Sequence, residues 1–248
     1  MPAVPAPDPG PDAGAIWHYG DPLGEQRAAE TDAVLVDRSH RAVITLTGPD
    51  RQTWLHTVCT QHVSELADGA CTQNLILDGK GHITDHWVQT ELDGTTYIDT
   101  EPWRCEPLLE YLRKMVFWAD VQMDTADLAV LSLLGPRLAE PAVLEVLGLD
   151  ALPAAATALP IAGVGFVRRM PGVRDDEIEL DVLVPRADSA DWQRRLTQAG
   201  VRRAGVWTYE AHRVAACRPR LGVDVDDRTI PHEVGWIGGP GAGAVHLD

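Results

Sequence analysis

The sequence predicts an α+β protein of two similar lobes, each a split β-α-β unit of the ferredoxin-like kind. Three observations predict it. Short runs alternating apolar and polar residues, the period of half-buried strands, are interleaved with runs of helical period. A Gly-Pro pair follows a strand twice, at Gly48-Pro49 and Gly135-Pro136, where proline opens a helix. The chain has 248 residues, 45% apolar and 23% charged, enough for two modest cores of ordinary globular composition.

In order along the chain, residues 1–15 (MPAVPAPDPGPDAGA) offer no periodic apolar face and read as a disordered tail. The first lobe, 16–124, runs from strand Ala42–Thr47 through a helix carrying Trp54, Leu55 and Val58 to strand Cys71–Leu77. Asp78-Gly-Lys-Gly81 turns the chain into Ile83–Thr90, Asp93-Gly94 turns it again into Thr96–Thr100, and Pro102 opens a helix with Leu108, Leu109 and Leu112 inward. Ala119–Met123 closes that set, giving β-α-β-β-(β)-α-β.

The second lobe, 125–205, repeats the order with strand Leu128–Leu134, a helix after Gly135-Pro136-Arg137, strands near Val164–Met170 and Glu177–Val184, and a helix over Ser189–Ala199. Ala151–Leu159 reads as an Ala/Pro-rich connection. The last segment, 206–248, holds a helix through Tyr209–Ala216 and an irregular Gly- and Asp-rich end. Ala244–Asp248 resembles the start of a strand with nothing to pair with, so the natural protein is expected to continue.

Composition excludes several classes. A formal charge of −16, from 37 acidic and 21 basic residues, repels a phosphate backbone, so no direct nucleic-acid partner is expected. Arg202, Arg203, Arg213, Arg218 and Arg220 form a local exception and read as a solvated face, with a polyanion-binding patch as the alternative. No run approaches the ~18 apolar residues of a membrane helix and no signal peptide precedes the first lobe, so a cytoplasmic protein without membrane partners is expected. Cys59, Cys71, Cys105 and Cys217 are too widely spaced for a disulfide framework or a metal clip. Phosphate-loop, dinucleotide, nucleophile-elbow and zincin motifs are missing from the sequence.

The densest polar group is Asp78, Lys80, His82, Asp85 and His86, around one hairpin turn. Strand alternation puts His82, Thr84 and His86 on one face and Ile83, Asp85 and Trp87 on the other. Asp85 is either a partly desolvated carboxylate that orients a cationic or amine-bearing ligand, or part of a solvated hairpin rich in turn formers. Asp175, Asp176, Glu177 and Glu179 either accept paired hydrogen bonds from an amino-pteridine edge or make a charged turn.

Longer strings carry a resemblance. Asp37-Arg-Ser-His40, Ile44-Thr-Leu-Thr-Gly-Pro-Asp50 with Trp54-Leu55, Thr60-Gln-His-Val63 and Leu75–Asp85 (LILDGKGHITD) resemble, in order, segments of the folate-binding superfamily typified by the glycine-cleavage aminomethyltransferase. Tyr209–Arg220 (YEAHRVAACRPR) and Asp227–Glu233 (DRTIPHE) are similar to the LRIEAGxPR and D-x-x-x-P-x-E strings of its YgfZ-type branch. The resemblance implies the aminomethyltransferase folate-binding fold, with the C-terminal barrel absent because the chain stops before the expected K-G-C-Y-x-G-Q-E loop. It implies tetrahydrofolate or a derivative as cofactor, held by Asp85, Asp175, Arg213, Asp78 and Tyr97, with no catalytic or metal residue. Asp175 falls near the acidic residue of the G-E-D-G-x-E-I string, and Arg213 matches the arginine of LRIEAG.

Two departures shape the functional expectation. Aminomethyltransferases carry two adjacent aspartates after the glycine turn and rely on the second, where this chain reads Asp85-His86; Ala215 stands at the glutamate of RIEAG. The resemblance therefore implies a YgfZ-like folate-binding protein supporting iron–sulfur cluster assembly or repair and, through it, tRNA-modification enzymes, with iron–sulfur client or assembly proteins as partners. The alternatives are a folate-dependent aminomethyltransferase or demethylase, and a protein-interaction module without folate.

Overall fold

The computed structural model describes residues 2–161, 165–170, 178–239 and 243–246, so Asp175, Asp176 and Glu177 lie outside the described residues. The first elements are β1 (Val4–Pro5), β2 (Ile16–His18), α1 (Pro22–Thr31), β3 (Val34–Asp37), β4 (Ala42–Thr47) and α2 (Arg51–Val58). There follow β5 (Cys71–Leu77), β6 (Ile83–Leu92), β7 (Thr95–Thr100), α3 (Cys105–Met115), β8 (Gln122–Ala126) and β9 (Leu128–Leu134). The rest comprises α4 (Pro141–Leu147), β10 (Thr157–Pro160), β11 (Phe166–Arg169), β12 (Glu179–Pro185), α5 (Ser189–Gln198), β13 (Arg202–Ala204) and α6 (Val206–Ala215). The fold is mixed α+β, and it divides into one compact unit of residues 41–126, 156–158 and 219–248 and another of 1–40, 127–155 and 159–218.

The 41–126 unit holds a five-stranded antiparallel sheet in the order β5-β6-β7-β4-β8. Its element order is the β-α-β-β-β-α-β that the strand and helix periods predict. Apolar alternation aims Ile44, Leu46, Trp87 and Ile98 at Trp54 and Leu55 of α2 and at Leu108, Leu109 and Leu112 of α3, which together form the core. Gly48, at the strand-to-helix junction, has φ of 106°, and a β-carbon there would lie 2.1 Å from the Asp120 carbonyl oxygen, so only glycine fits. The closing strand begins three residues later than expected. The turn before it is pinned when the Asp120 amide donates to Asp50 Oδ2 at 2.8 Å, and pairing with β4 starts only at Gln122.

The 127–218 unit is built on a six-stranded sheet in the order β10-β11-β12-β9-β3-β13. On one face Leu131, Leu133 and Val182 pack with Val143 and Leu147 of α4 and with Trp192 and Leu196 of α5. On the other, Val34, Val36 and Leu134 meet Ala28 of α1, and Val206 and Tyr209 of α6. Here β13 does not join β9: the short β3 lies between them, parallel to β13 and antiparallel to β9.

Three expectations are corrected. Residues 2–15 are ordered: β1 pairs with β2, the Ala6 amide donates to the Ala15 carbonyl at 2.9 Å, and buried Asp12 sits 3.0 Å from His40 Nε2. Alanines small enough to bury and a buried carboxylate with a partner substitute for a periodic apolar face. The 151–159 connection ends in β10, where Thr157 bridges Ala70. Val245 has a partner too, bridging Ile237, while Thr60 Oγ1 donates to the Ala244 carbonyl at 2.7 Å and Gln61 Nε2 to Gly243 at 2.8 Å.

Helix α6 ends in a turn that the sequence makes strained. The Arg218 amide donates to the Arg213 carbonyl at 2.9 Å, and Cys217, with φ of 50°, takes the left-handed position that glycine usually fills. LRIEAG has its glycine at this place. Cys217→Gly is expected to raise the unfolding free energy by about 1 kcal/mol, since a side chain in the left-handed region costs about that much; an unchanged or lower urea midpoint would show that the turn is unstrained.

Candidate functional site

The hairpin carboxylate and its neighbour separate as alternation requires, and each is enclosed by different partners. Asp85, only 2% exposed, lies on the helix-covered face, opposite Ile76 and two residues from Trp87. There Arg104, just ahead of α3, donates to both its oxygens, Nε at 2.8 Å and a terminal nitrogen at 3.0 Å. That bidentate pair fixes the orientation of the carboxylate on the covered face. Asp78 staples its own turn, accepting from the Lys80 and His82 amides at 2.8 Å each, and these bonds hold its carboxyl below the usual carboxylate range.

His86 occupies the opposite face of β6. Its ring stacks on Trp236 with centroids 4.3 Å apart and planes 9° from parallel, and Nε2 sits 2.9 Å from Gln73 Oε1. Burial and then the nearby Arg41 charge push its pKa down from 6.5 to about 4, against weaker pulls from Glu101 and Asp99. The imidazole is therefore neutral at pH 7, its Nε2–H donating to Gln73. Tyr97 and Asp99 of β7 share this face, opposite Thr90 and Val88, and burial raises the Tyr97 pKa.

Beside His86 runs a buried ion network. Arg41 donates to Asp99 Oδ1 at 2.5 Å, to the Asp99 carbonyl at 3.2 Å and to Glu101 at 2.7 Å, while Arg220 clasps both Glu101 oxygens at 2.9 and 2.8 Å. Burial alone would favour the neutral guanidine, yet Asp99 and Glu101 raise the Arg41 pKa above its ordinary value.

A pH dependence follows. His86 has its lower pKa in the folded state, so stability is full above about pH 6.5 and is lost as pH falls toward 4, by roughly 3 kcal/mol at 1.36 kcal/mol per pK unit. In His86→Phe, which keeps a ring on Trp236, urea midpoints measured across that window should decline less steeply. A slope equal to that of the unaltered chain would mean that His86 is not shielded.

In the other unit, Arg213 is buried at 5% exposure and donates from Nε and one terminal nitrogen to the two Glu210 oxygens at 2.9 and 2.5 Å and from the other terminal nitrogen to the Arg218 carbonyl at 3.1 Å. Two further carboxylates of this unit, Glu179 and Asp181, are buried on β12. Glu179 accepts from His212 Nε2 at 3.2 Å and from Arg218; burial raises its pKa but Arg218 and His212 outweigh burial, leaving the carboxyl well below its usual range. Asp181 accepts from Ser132 Oγ at 2.6 Å and from fully buried Arg168 at 3.1 and 2.8 Å, with Arg38 at 3.5 Å. Arg38 in turn lies 3.6 Å over the Tyr209 ring.

The arginine cluster is corrected accordingly: Arg202 and Arg203 are exposed, but Arg213 and Arg220 are buried in ion pairs and Arg218 is paired with Glu179. Sequence reasoning missed two ion networks whose members have no common spacing, Arg41, Asp99 and Glu101 in one unit and Arg38, Arg168 and Asp181 in the other. Among the described residues no His, Cys, Asp or Glu group is arranged to hold a metal, no disulfide joins the four cysteines, and no helix is long and apolar enough to cross a membrane.

This fold is shared. A family model described as the GCVT N-terminal domain matches residues 20–163, more than half of the chain. The chain belongs to that family. The aminomethyltransferase of Chromobacterium violaceum is 27% identical over 233 residues, covering 88% of this chain and 61% of that protein; that of Methylococcus capsulatus is 27% identical over 227 residues with the same coverage. The crystal structure of glycine cleavage system aminomethyltransferase T from Bartonella henselae superposes with a TM-score of 0.82 at 20% identity, covering 92% of this chain and 63% of that one. A chain of the heterotetrameric sarcosine oxidase from Corynebacterium sp. U-96 gives 0.50 at 17% identity, covering 72% of this chain and 90% of that one. The chain thus spans about three-fifths of the length of the curated relatives it matches.

Proposed function

We propose that this chain is a YgfZ-like protein that binds tetrahydrofolate or a derivative without transferring aminomethyl groups, and supports the assembly or repair of iron–sulfur enzymes. Membership of the GCVT N-terminal domain family supports the folate part. The observation that carries the non-catalytic part is His86. It stands where the resemblance puts the carboxylate used for aminomethyl transfer, and burial beside Arg41 keeps it neutral, so it supplies no fixed negative charge to a developing cation. Asp175 is the proposed anchor of the pteridine edge, and Tyr97 shares the His86 face; Asp85, Asp78 and Arg213 hold the surrounding structure through their own ion pairs and turns.

A second reading, a folate-dependent aminomethyltransferase, is favoured by the identity to aminomethyltransferases along 88% of the chain. Turnover separates the two. Incubation with an aminomethylated lipoyl carrier and tetrahydrofolate is expected to give no methylene-tetrahydrofolate above background, and steady turnover would select the enzyme reading. For the iron–sulfur role, cells lacking the protein should lose activity of iron–sulfur enzymes under oxidative stress and regain it on complementation; undiminished activity in those cells would rule the role out.

A further inference from the structure

We infer that the 127–218 unit carries a separate pocket for a small organic ammonium ion, between α1 and α6. A cavity of about 440 Å³ opens where the two helices face each other, within the size range of small-molecule sites. Its α1 wall presents Gln26 and Glu30, four residues apart on one face, and its α6 wall presents Thr208, Ala211, His212 and Ala215 at the i, i+3, i+4, i+7 spacing of one stripe.

Three of the polar groups around the cavity are uncommitted. Neither Gln26 nor Glu30 has a hydrogen-bond or ion-pair partner among the described residues, and Thr208, 0% exposed, has a hydroxyl without one. A buried hydroxyl facing a cavity with no partner costs free energy that a ligand restores. His212, which reaches Glu179 through Nε2, adds its ring edge to the α6 wall. The walls therefore offer the Glu30 carboxylate, the Gln26 amide oxygen and the Thr208 hydroxyl as acceptors, with no lysine or arginine among the lining residues. The ligand that complements them carries positive charge, donates several N–H bonds and rests a short aliphatic body on the alanines. A net charge of −16 draws such a cation in.

Ala215 gives the pocket its room. The RIEAG string that this helix resembles has glutamate at that position, and a glutamate there would fill the space and add a second carboxylate. The pocket is thus tied to a residue in which this chain departs from that string, and it stands apart from the folate reading.

The probe is 1,4-diaminobutane, titrated into the full chain while amide shifts are followed by two-dimensional ¹H–¹⁵N NMR, with 1,4-butanediol as the uncharged counterpart. Saturable shifts at Thr208, Ala211 and His212 are expected with the diamine and not with the diol. Affinity should fall by about tenfold or more in Ala215→Met, which fills the cavity, and in Glu30→Gln, which removes its charge. It should be unchanged in Glu110→Gln, an exposed carboxylate of α3; the spectra of the free variants report that each is folded. No saturable shift, equal shifts with the diol, or equal weakening by Glu110→Gln would overturn the proposal. So would movement of the same amides by 5-formyltetrahydrofolate in place of the diamine, because the pocket would then belong to the folate site.

Discussion

Replacing Asp181 with alanine is expected to destabilise the 127–218 unit by about 3–5 kcal/mol, the usual cost of removing one partner from a buried ion pair. Asp181 is 1% exposed and directly opposite Arg168 across the β11–β12 ladder, and Arg168 is itself completely buried. Alanine would leave the Arg168 and Arg38 charges facing each other without the carboxylate between them, and Ser132 Oγ without its acceptor. Asp181→Asn keeps one acceptor oxygen but loses the charge and the other acceptor, so it should fall between the unaltered chain and the alanine variant. Urea unfolding measures the series; a loss below about 1 kcal/mol for the alanine variant, as for an exposed pair, would show that water reaches this cluster.

The second large effect belongs to Arg41 and joins stability to the candidate site. Arg41→Leu takes away the cation shared by Asp99 and Glu101, both nearly inaccessible, and is expected to cost about 3 kcal/mol or more. It should also change His86. Arg41 is, after burial, the main influence lowering the His86 pKa, so its removal should shift that titration upward from about 4. NMR titration of the ring protons in the folded variant reads this directly. An unmoved pKa would mean that burial alone sets the protonation state of His86.

Much of the fold was legible because its strands obey a simple period. Ala42–Thr47, Cys71–Leu77 and Leu128–Leu134 have apolar alternation or continuous apolar runs bounded by turn residues, and their observed limits follow those patterns. The α1–β3 segment escaped for opposite reasons. Asp21-Pro22 is a helix-start signal that was there to be read, and the Asp21 side chain does cap the helix, accepting from the Gly24 amide. β3 is only four residues long, and nothing local shows that it inserts between β9 and β13.

At the candidate site, alternation separated Asp85 from His86, but which face the helices cover is a tertiary fact. Arg104 was therefore not foreseen as the partner of Asp85. The basic residues from Arg202 to Arg220 are alike as a string; their fates diverge because Glu210, Glu179 and Glu101 meet only some of them. Charge composition gives the sum of such groups and not their burial.

The claim that this chain binds folate is tested most directly by calorimetric titration of 5-formyltetrahydrofolate into the protein, with Asp175→Asn alongside. Saturable binding that weakens by about tenfold in the variant, as expected when a paired hydrogen bond to a charged group is lost, is the predicted result. The absence of binding heat at protein concentrations in the tens of micromolar, together with a folded protein by circular dichroism, would contradict the folate reading.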